Sequence, residues 1–531
     1  MDTSTHQKFS IKKTRMRFLG LSWDECIQAF FGGNAFVAVV VLALITVFLL
    51  REGMGFFGQN RTNLELYRKA GLEYVEFLRR QEQDHTELNR FLFDIRVKAY
   101  RHYRETEGKT TAEINELLFE FDEYSYGFED AIEPLSHVVV DLSDIASSTK
   151  TKALVNADRD EERRQLISEG KHQEAAAVEI VPVDFDRELE PLFEFRAVYP
   201  EINSEIAANL HRLLDGETPA MPTVDLQDRL SRFRELVAGY VEEFPTIERS
   251  LETWDPHQPV PMWRAFSSFL TGSRWLTASF WQDWYGVLPL ITGSMMVAMV
   301  AMVIAIPLGV GAALYVDQLA SEREQKIIKP SIEFIAAIPS VVLGFFGIVV
   351  LGEAIRVMSQ WGVLSWLPGF PIVERLNALT AGILLALIAV PTIFTLAEDA
   401  LRGVPRGFTE ASYALGASRL QTIGKIIVPS SLSGILSAVL LGFGRVIGET
   451  MVVLLCAGNR IAIPDFTDGL AVFTQPVHTM TGLVAQEMGE VVSGGIHYRA
   501  LFVVGLLLFI FTLTINYVAQ KIVQRYRVAQ I

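Results

Sequence analysis

The chain has 531 residues, half of them hydrophobic, and a formal net charge of −15. Residues 61–260 hold 43 Asp and Glu against 24 Lys and Arg, a net of −19, which leaves the remainder apolar and mildly basic at +4. This segregation excludes one soluble globule, and the acidic part excludes nucleic acid as a partner.

In chain order, the first segment is 1–29. Its Lys8, Lys12, Lys13, Arg15 and Arg17 precede the first apolar run and place the N-terminus in the cytoplasm. A first transmembrane helix is expected over 30–50. Its apolar run begins near residue 34, lasts through Leu50 and lacks a small-residue cleavage site, so it reads as a span and not as a signal peptide. Residues 51–287 then fall outside, with an acidic insert at about 61–260. Leu64, Tyr67, Val75, Leu78, Leu88, Leu92, Ile95 and Ala99 recur mostly at three- and four-residue steps, a helical period. Thr110 and Glu113, ahead of Ile114, Leu117 and Leu118, read as a capping box. Residues 201–214 and 224–243 are amphipathic and are separated by Gly216, Pro219 and Pro222, which end and restart helices. The 180–195 stretch gives a mixed signal. The insert therefore reads as an antiparallel helical bundle, with a coiled-coil hairpin as a variant, although strict heptads are not sustained. Cys26 and Cys456 lie at or inside apolar segments, so no disulfide framework supports the insert. Trp275, Trp281, Trp284 and Tyr285 precede the second span, as an interfacial belt or a docking surface.

Residues 288–525 carry five more expected spans, at 288–316, 331–352, 377–398, 431–457 and 499–520. Pro307, Pro339 and Pro391 lie inside them, as membrane helices tolerate. Loops 317–330 and 399–430 are basic, with Arg323, Lys326, Lys329, Arg402, Arg406, Arg419 and Lys425. They fall on the cytoplasmic side with Lys521, Arg525 and Arg527 of the C-terminus, while 353–376 and 458–498 fall outside. Glu398 and Asp399 read as solvated at the end of the fourth span. Glu333, near the start of the third, is either a pathway carboxylate or a snorkelling or capping group.

The fifth span holds Arg445 and Glu449 in an apolar setting. Four residues apart on one helix, they share a face. A charge inside a span costs about 3 kcal/mol on insertion scales, so such residues face the interior and pair. A guanidinium suits an oxyanion, since its planar fork gives several donors and never deprotonates. Glu449 could hold that fork, and Thr450 could add a hydroxyl or bond its own helix. A structural ion pair without substrate contact is the alternative. The chain has no G-x-x-x-x-G-K-[ST] loop and no Cys/His ligand spacing, so no ATP hydrolysis, metal or cofactor is expected of it.

Residues 410–429 read EASYALGASRLQTIGKIIVP, between the fourth and fifth apolar runs. Glu410, Ala411, Gly416, Ile426 and Pro429 are spaced as in the EAA coupling loop of ABC-importer permeases, with Ser412 for the second Ala and Val428 for Leu. Gly416 permits a positive φ, and Pro429 suits a helix start. Glu410 either contacts an ATPase or caps its own helix. With the runs at 287–316, 331–344 and GFGRVIGETM at 442–451, the membrane part resembles the C-type permease family of phosphate-specific ABC transporters (PstC). The resemblance covers about 30–60 and 264–525. The insert has no counterpart in short family members, and AFSSFLTGSRW at 265–275 resumes family-like sequence.

The resemblance implies an all-α, polytopic membrane protein with six transmembrane helices in the ABC importer permease fold, carrying an inserted external helical bundle. It implies a non-enzymatic half of a phosphate pathway in the bacterial inner membrane. The implied partners are an A-type permease subunit, two cytoplasmic ABC ATPase subunits, an external phosphate-binding protein, phosphate and the lipid bilayer. The resemblance also implicates Arg445 and Glu449 in phosphate passage. Rival readings are a permease for another oxyanion or small solute, and a membrane sensor with an external helical domain. A sensor would need a cytoplasmic output domain, which no predicted loop is long enough to hold.

Overall fold

The computed structural model describes residues 17–18, 21–277, 279, 281–361, 363 and 369–526. Lys8, Lys12, Lys13, Arg15 and Arg527, which carry part of the topology argument, lie outside the described residues. The all-α expectation holds. The strands among the described residues are four of two residues each: β1 (Arg17–Phe18), β2 (Leu21–Ser22), β3 (Trp275–Leu276) and β4 (Trp284–Tyr285). Everything else of regular structure is helical, in two compact units. One comprises Asn60–Phe266 and Leu276–Trp284, the other the residues up to Gln59, Ser267–Trp275 and Tyr285 onward.

The first helix, α1 (Trp23–Lys69), runs on for 19 residues past the expected end of the first span. The bundle unit takes its end and adds α2 (Leu72–Glu105), α3 (Thr111–Leu117), α4 (Phe119–Asp130), α5 (Glu133–Ser168) and α6 (His172–Ala177). α7 (Phe185–Glu188), α8 (Glu190–Asp215), α9 (Val224–Glu242) and α10 (Phe244–Thr253) follow. The Thr110–Glu113 capping box is present at the start of α3, and the mixed 180–195 stretch resolves as extended chain followed by α7 and α8. Of the periodic residues, Leu64, Tyr67, Val75, Leu78, Leu92, Ile95 and Ala99 are buried. All but Leu64, which packs with Val260 and Ala265, join Phe121, Phe128, Leu192, Tyr199, Phe233 and others in one continuous core. Inside it Tyr199 Oη donates to Gln81 Oε1 (2.8 Å) and Gln81 Nε2 to Asn203 Oδ1 (3.0 Å), so the buried amide is satisfied on both sides. Buried Lys150 donates to Trp281 O (2.7 Å) and Gln282 Oε1 (2.9 Å), while Arg79 lies 4.5 Å from the Trp281 ring centre. These bonds make 276–284 part of the bundle unit.

α11 (Met262–Thr271) leads into the second unit, where α12 (Leu288–Leu314), α13 (Glu322–Ala336), α14 (Ser340–Phe346), α15 (Gly352–Ser359) and α16 (Ala378–Arg402) come next. α17 (Arg406–Ala414), α18 (Arg419–Thr422), α19 (Val428–Ile447), α20 (Met451–Cys456), α21 (Met480–Glu487) and α22 (Ile496–Tyr526) complete it. Among the described residues six helical runs are long and apolar enough to cross a membrane: Phe30–Lys69, Leu288–Leu319, Ser340–Ser359, Ala378–Arg402, Arg419–Ile447 and Ile496–Ile522. Phe36, Val39 and Val47 of the first are more than half exposed, an arrangement that only a non-aqueous surround stabilises. At the centre α12, α16 and α19 pack through small residues: a Cβ on Gly382 would lie 2.4 Å from Val300, and one on Gly442 2.6 Å from Ile393.

Two expected spans are corrected. The third does not begin at 331. Pro339, which has no amide and disfavours helix in the residue before it, separates α13 from α14. The fifth does not run to 457, because α19 ends at Ile447 and α20 starts at Met451. The aromatic belt is also corrected. Trp275 and Tyr285 are buried with Phe56 and Phe269 in the membrane unit, and Trp281 and Trp284 pack on the bundle core.

Candidate translocation and coupling sites

The candidate pathway residues Arg445, Glu449 and Thr450 lie at or beside the break between α19 and α20. In a continuous helix the Met451 amide would donate to the carbonyl four residues back. Here it donates to Glu449 Oε1 (3.2 Å), so the carboxylate takes over one helical bond and starts α20. Arg445 is in the last turn of α19 and its Nη1 donates to Thr392 Oγ1 of α16 (2.9 Å). The expectation that Arg445 and Glu449 share one helix face is therefore corrected: the helix ends between them, and no ion pair among the described residues joins them. Arg445 is exposed in the single chain, while Glu449 and Thr450 are half-buried at the break. Thr450 is the residue before α20, and its side chain makes no capping bond.

The Glu449 main-chain oxygen has no helical donor and instead accepts from Thr481 Oγ1 (2.8 Å), the second residue of α21. Thr479 Oγ1 accepts from Gly482 N (3.1 Å) to cap α21, and Met480 N donates to Ser294 Oγ of α12 (3.0 Å). Glu449, Ser294, Thr479 and Thr481 line a cavity of ≈ 10 Å³ for water centres, room for about one water.

Glu333 lies elsewhere. It is exposed on α13, an amphipathic helix started by a Ser321–Glu324 capping box, and lines a 590 Å³ groove with Lys326 and Lys329. The Ser321 amide and hydroxyl hold the Glu324 carboxyl below its ordinary value.

The second site is the 410–429 hairpin. α17 ends at Ala414, and Gly416, with a φ of 80°, closes the turn that follows, with Gly416 N bonded to Tyr413 O (2.9 Å) and Ala417 N to Ser412 O (3.1 Å). Ser418 and Gln421 form a capping box at α18. Buried Ser412 and Thr422 bond hydroxyl to hydroxyl at 2.9 Å and hold the two helices together. Glu410, Ala411 and Gly416 are exposed, Ile426 is half-buried, and exposed Pro429 stands in the first turn of α19 after a π turn at Ile423–Ile427. Leu415 is 89% exposed and Leu420 72%, so the tip is apolar. Glu410 lines a 570 Å³ groove with Asp317, Arg402, Arg406 and Thr409. Behind it Glu398 is buried, bonded to Arg402 (2.8 Å) and Lys329, and Arg402 also reaches Asp317 (3.4 Å). The solvated reading of Glu398 is thereby corrected. Asp399, next to it, is exposed as expected.

Residues 305–528 match the family model described as "binding-protein-dependent transport system inner membrane component". A probable ABC transporter permease, YqgH of Bacillus subtilis, is 34% identical over 258 residues, covering 48% of this chain and 77% of that one. The phosphate transport system permease PstC of Mesorhizobium japonicum is 30% identical over 276 residues, covering 50% and 81%. This chain belongs to the binding-protein-dependent ABC transporter permeases. Among solved structures, the inward-facing MetNI methionine ABC transporter aligns at a TM-score of 0.33 and 21% identity, over 45% of this chain and 94% of that one.

This permease is thus a multi-pass membrane transport component, and not an enzyme. The sequence singled out Arg445, Glu449, Thr450 and the hairpin. It missed Thr392, Ser294, Thr479 and Thr481. Thr479 carried the one local signal that could have found it, a hydroxyl residue immediately before a short apolar helix.

Proposed function

We propose that the chain forms half of the translocation pathway of an ATP-driven importer of inorganic phosphate. The observation that carries this reading is Arg445, a guanidinium in an apolar helix beside the Glu449–Thr450 break, in a chain related to PstC permeases. Arg445 attracts the desolvated oxyanion, and Glu449 keeps the attraction weak enough for release. Thr450 adds a hydroxyl at the break. Glu333, exposed on α13, would meet the anion only at a pathway mouth.

As a binding-protein-dependent ABC permease, the subunit works with an ATPase and a binding protein. In finer detail, we take the other half of the pathway to be an A-type permease subunit. Two ATPase subunits would seat the hairpin through Glu410, Ala411, Gly416, Ile426 and Pro429, and its exposed leucines offer them an apolar contact. Both termini and the hairpin would then lie in the cytoplasm, and the acidic bundle outside with the phosphate-binding protein. ATP binding tips the permease pair between two states, which requires different contacts to phosphate in each.

A guanidinium accepts other oxyanions as well, so competition decides the substrate. The complete importer in proteoliposomes should take up radiolabelled phosphate in an ATP-dependent manner, with excess sulfate or molybdate competing poorly. Uptake abolished by sulfate or molybdate would assign the permease to that anion instead.

A further inference from the structure

Within the fifth span the Met451 amide holds Glu449 Oε1 (3.2 Å), but none of the described residues there holds the Glu449 main-chain oxygen, which sets the backbone from which that carboxylate projects. The helix has ended, its main-chain oxygen needs a donor, and an unpaired buried carbonyl is costly. The donor comes from 32 residues further on, as Thr481 Oγ1 at 2.8 Å. The element that carries Thr481 is itself anchored at both ends. At its start Met480 N is bonded to Ser294 Oγ (3.0 Å), and a Cβ on Gly293 would stand 2.1 Å from His478 O, so α12 and this turn are in backbone contact. At its far end Glu487 Oε2 accepts from Trp275 Nε1 (3.2 Å) and lies 2.7 Å from His497 Nε2. Ahead of the first anchor Val477 N donates to Ala457 O (2.8 Å), closing the loop that connects α20 to α21. A helix of eight residues, about 12 Å long, is therefore held at two places and bears on the break at a third.

We propose that Thr481 is a positioning residue for transport: through the Glu449 carbonyl it sets the geometry of the α19–α20 break, and with it the direction of the Glu449 carboxylate. Ser294 serves the same end by fixing the start of α21. The inference rests on the transport role proposed above for Glu449. A hydroxyl is needed because the acceptor is a main-chain oxygen: valine has the same shape and no donor, while serine keeps the donor. Loss of the bond frees the carbonyl to seek another donor, which turns the peptide plane that carries the Glu449 side chain. Only the pathway should be affected, since neither residue belongs to the 410–429 hairpin.

The test uses the complete importer in proteoliposomes with Thr481→Val, Thr481→Ser, Glu449→Gln and the Val/Gln double variant. Thr481→Val should lower the maximal rate of phosphate uptake at least about ten-fold, with the binding-protein concentration at half-maximal rate unchanged. Thr481→Ser should return to within about three-fold of wild type. In the double variant the two losses should not multiply, because both act through one carboxylate. Uptake by Thr481→Val within two-fold of wild type, or losses that multiply, would overturn the proposal. If Thr481→Val fails to assemble, the same cycle run with Ser294→Ala and Glu449→Gln decides by the same criteria. If the wild-type complex takes up no phosphate, the substrate reading falls on its own. The cycle is then read in binding-protein-stimulated ATP hydrolysis, so the two failures are distinct.

Discussion

Arg445 donates to Thr392 from the end of an apolar helix, and a hydroxyl neutralises none of its charge. A guanidinium so placed keeps a strong demand for an anion. Arg445→Gln should therefore reduce phosphate uptake on the order of 100-fold, as loss of a preorganised donor does elsewhere, with assembly intact. Lys should restore only part of it, having the charge without the fork. Uptake measured beside co-purification of the complex checks this: normal uptake by the Gln variant removes Arg445 from the pathway, and failed assembly makes it a packing residue. Arg445 and Glu449 were legible in the sequence because charge is rare in an apolar run. That they do not pair was not, because a spacing of four puts them on one face of a continuous helix. The Met451 amide chose the carboxylate, and the bond that completes the break comes from a distant Thr481. No local pattern contains that information.

At the scale of elements, the 410–429 hairpin is the best-specified part of the molecule. Gly416 holds φ at 80°, and a Cβ there would meet none of the described residues within 4 Å, so a substitution is penalised by backbone strain and not by a clash with them. For a β-branched residue that strain is about 2 kcal/mol or more. Gly416→Val should reopen the turn, separate α17 from α18 and break the Ser412–Thr422 contact. The expected result is loss of both ATPase co-purification and binding-protein-stimulated ATP hydrolysis, with Gly416→Ala less damaged. Retention of both by the Val variant would mean that the hairpin does not couple the permease to the ATPase. This element was readable because turn, cap and helix start are all local properties. The spans were readable as apolar stretches but not as continuous helices. Hydropathy reports where a chain is apolar, whereas Pro339 and Glu449 decide where it is broken.

At the scale of the whole molecule, the acidic bundle should fold without the membrane unit, because it holds a large buried core and the bonds of Gln81, Tyr199 and Lys150 within itself. The physical boundary is wider than the acidic block 61–260, since Lys150 needs Trp281 and Gln282. Residues 60–284, with 267–275 replaced by a Gly/Ser linker, should give a helical circular-dichroism spectrum and a cooperative melt. A mainly β spectrum would overturn the bundle reading. The core also dictates a pH dependence. His85 is 2% exposed, lies 4.1 Å from the Phe128 ring in a stack and makes a 2.8 Å bond to Phe128 O. An imidazole can only donate to a carbonyl, so Nε2 carries the proton, and buried Nδ1 has no partner among the described residues. Burial pushes its pKa down to about 4, against the weaker opposing pull of the Phe128 carbonyl. In the unfolded chain it titrates near 6.5. Between those values the unfolded state binds a proton that the folded state refuses, so the contribution is complete above pH 6.5 and is lost as the pH falls to 4. The full shift corresponds to about 3 kcal/mol. His85→Gln can keep a donor for Phe128 O and cannot titrate. Denaturant unfolding of both proteins from pH 7 to pH 4 should show wild type losing about 3 kcal/mol more than the variant. Parallel losses would mean that His85 is protonated inside the fold.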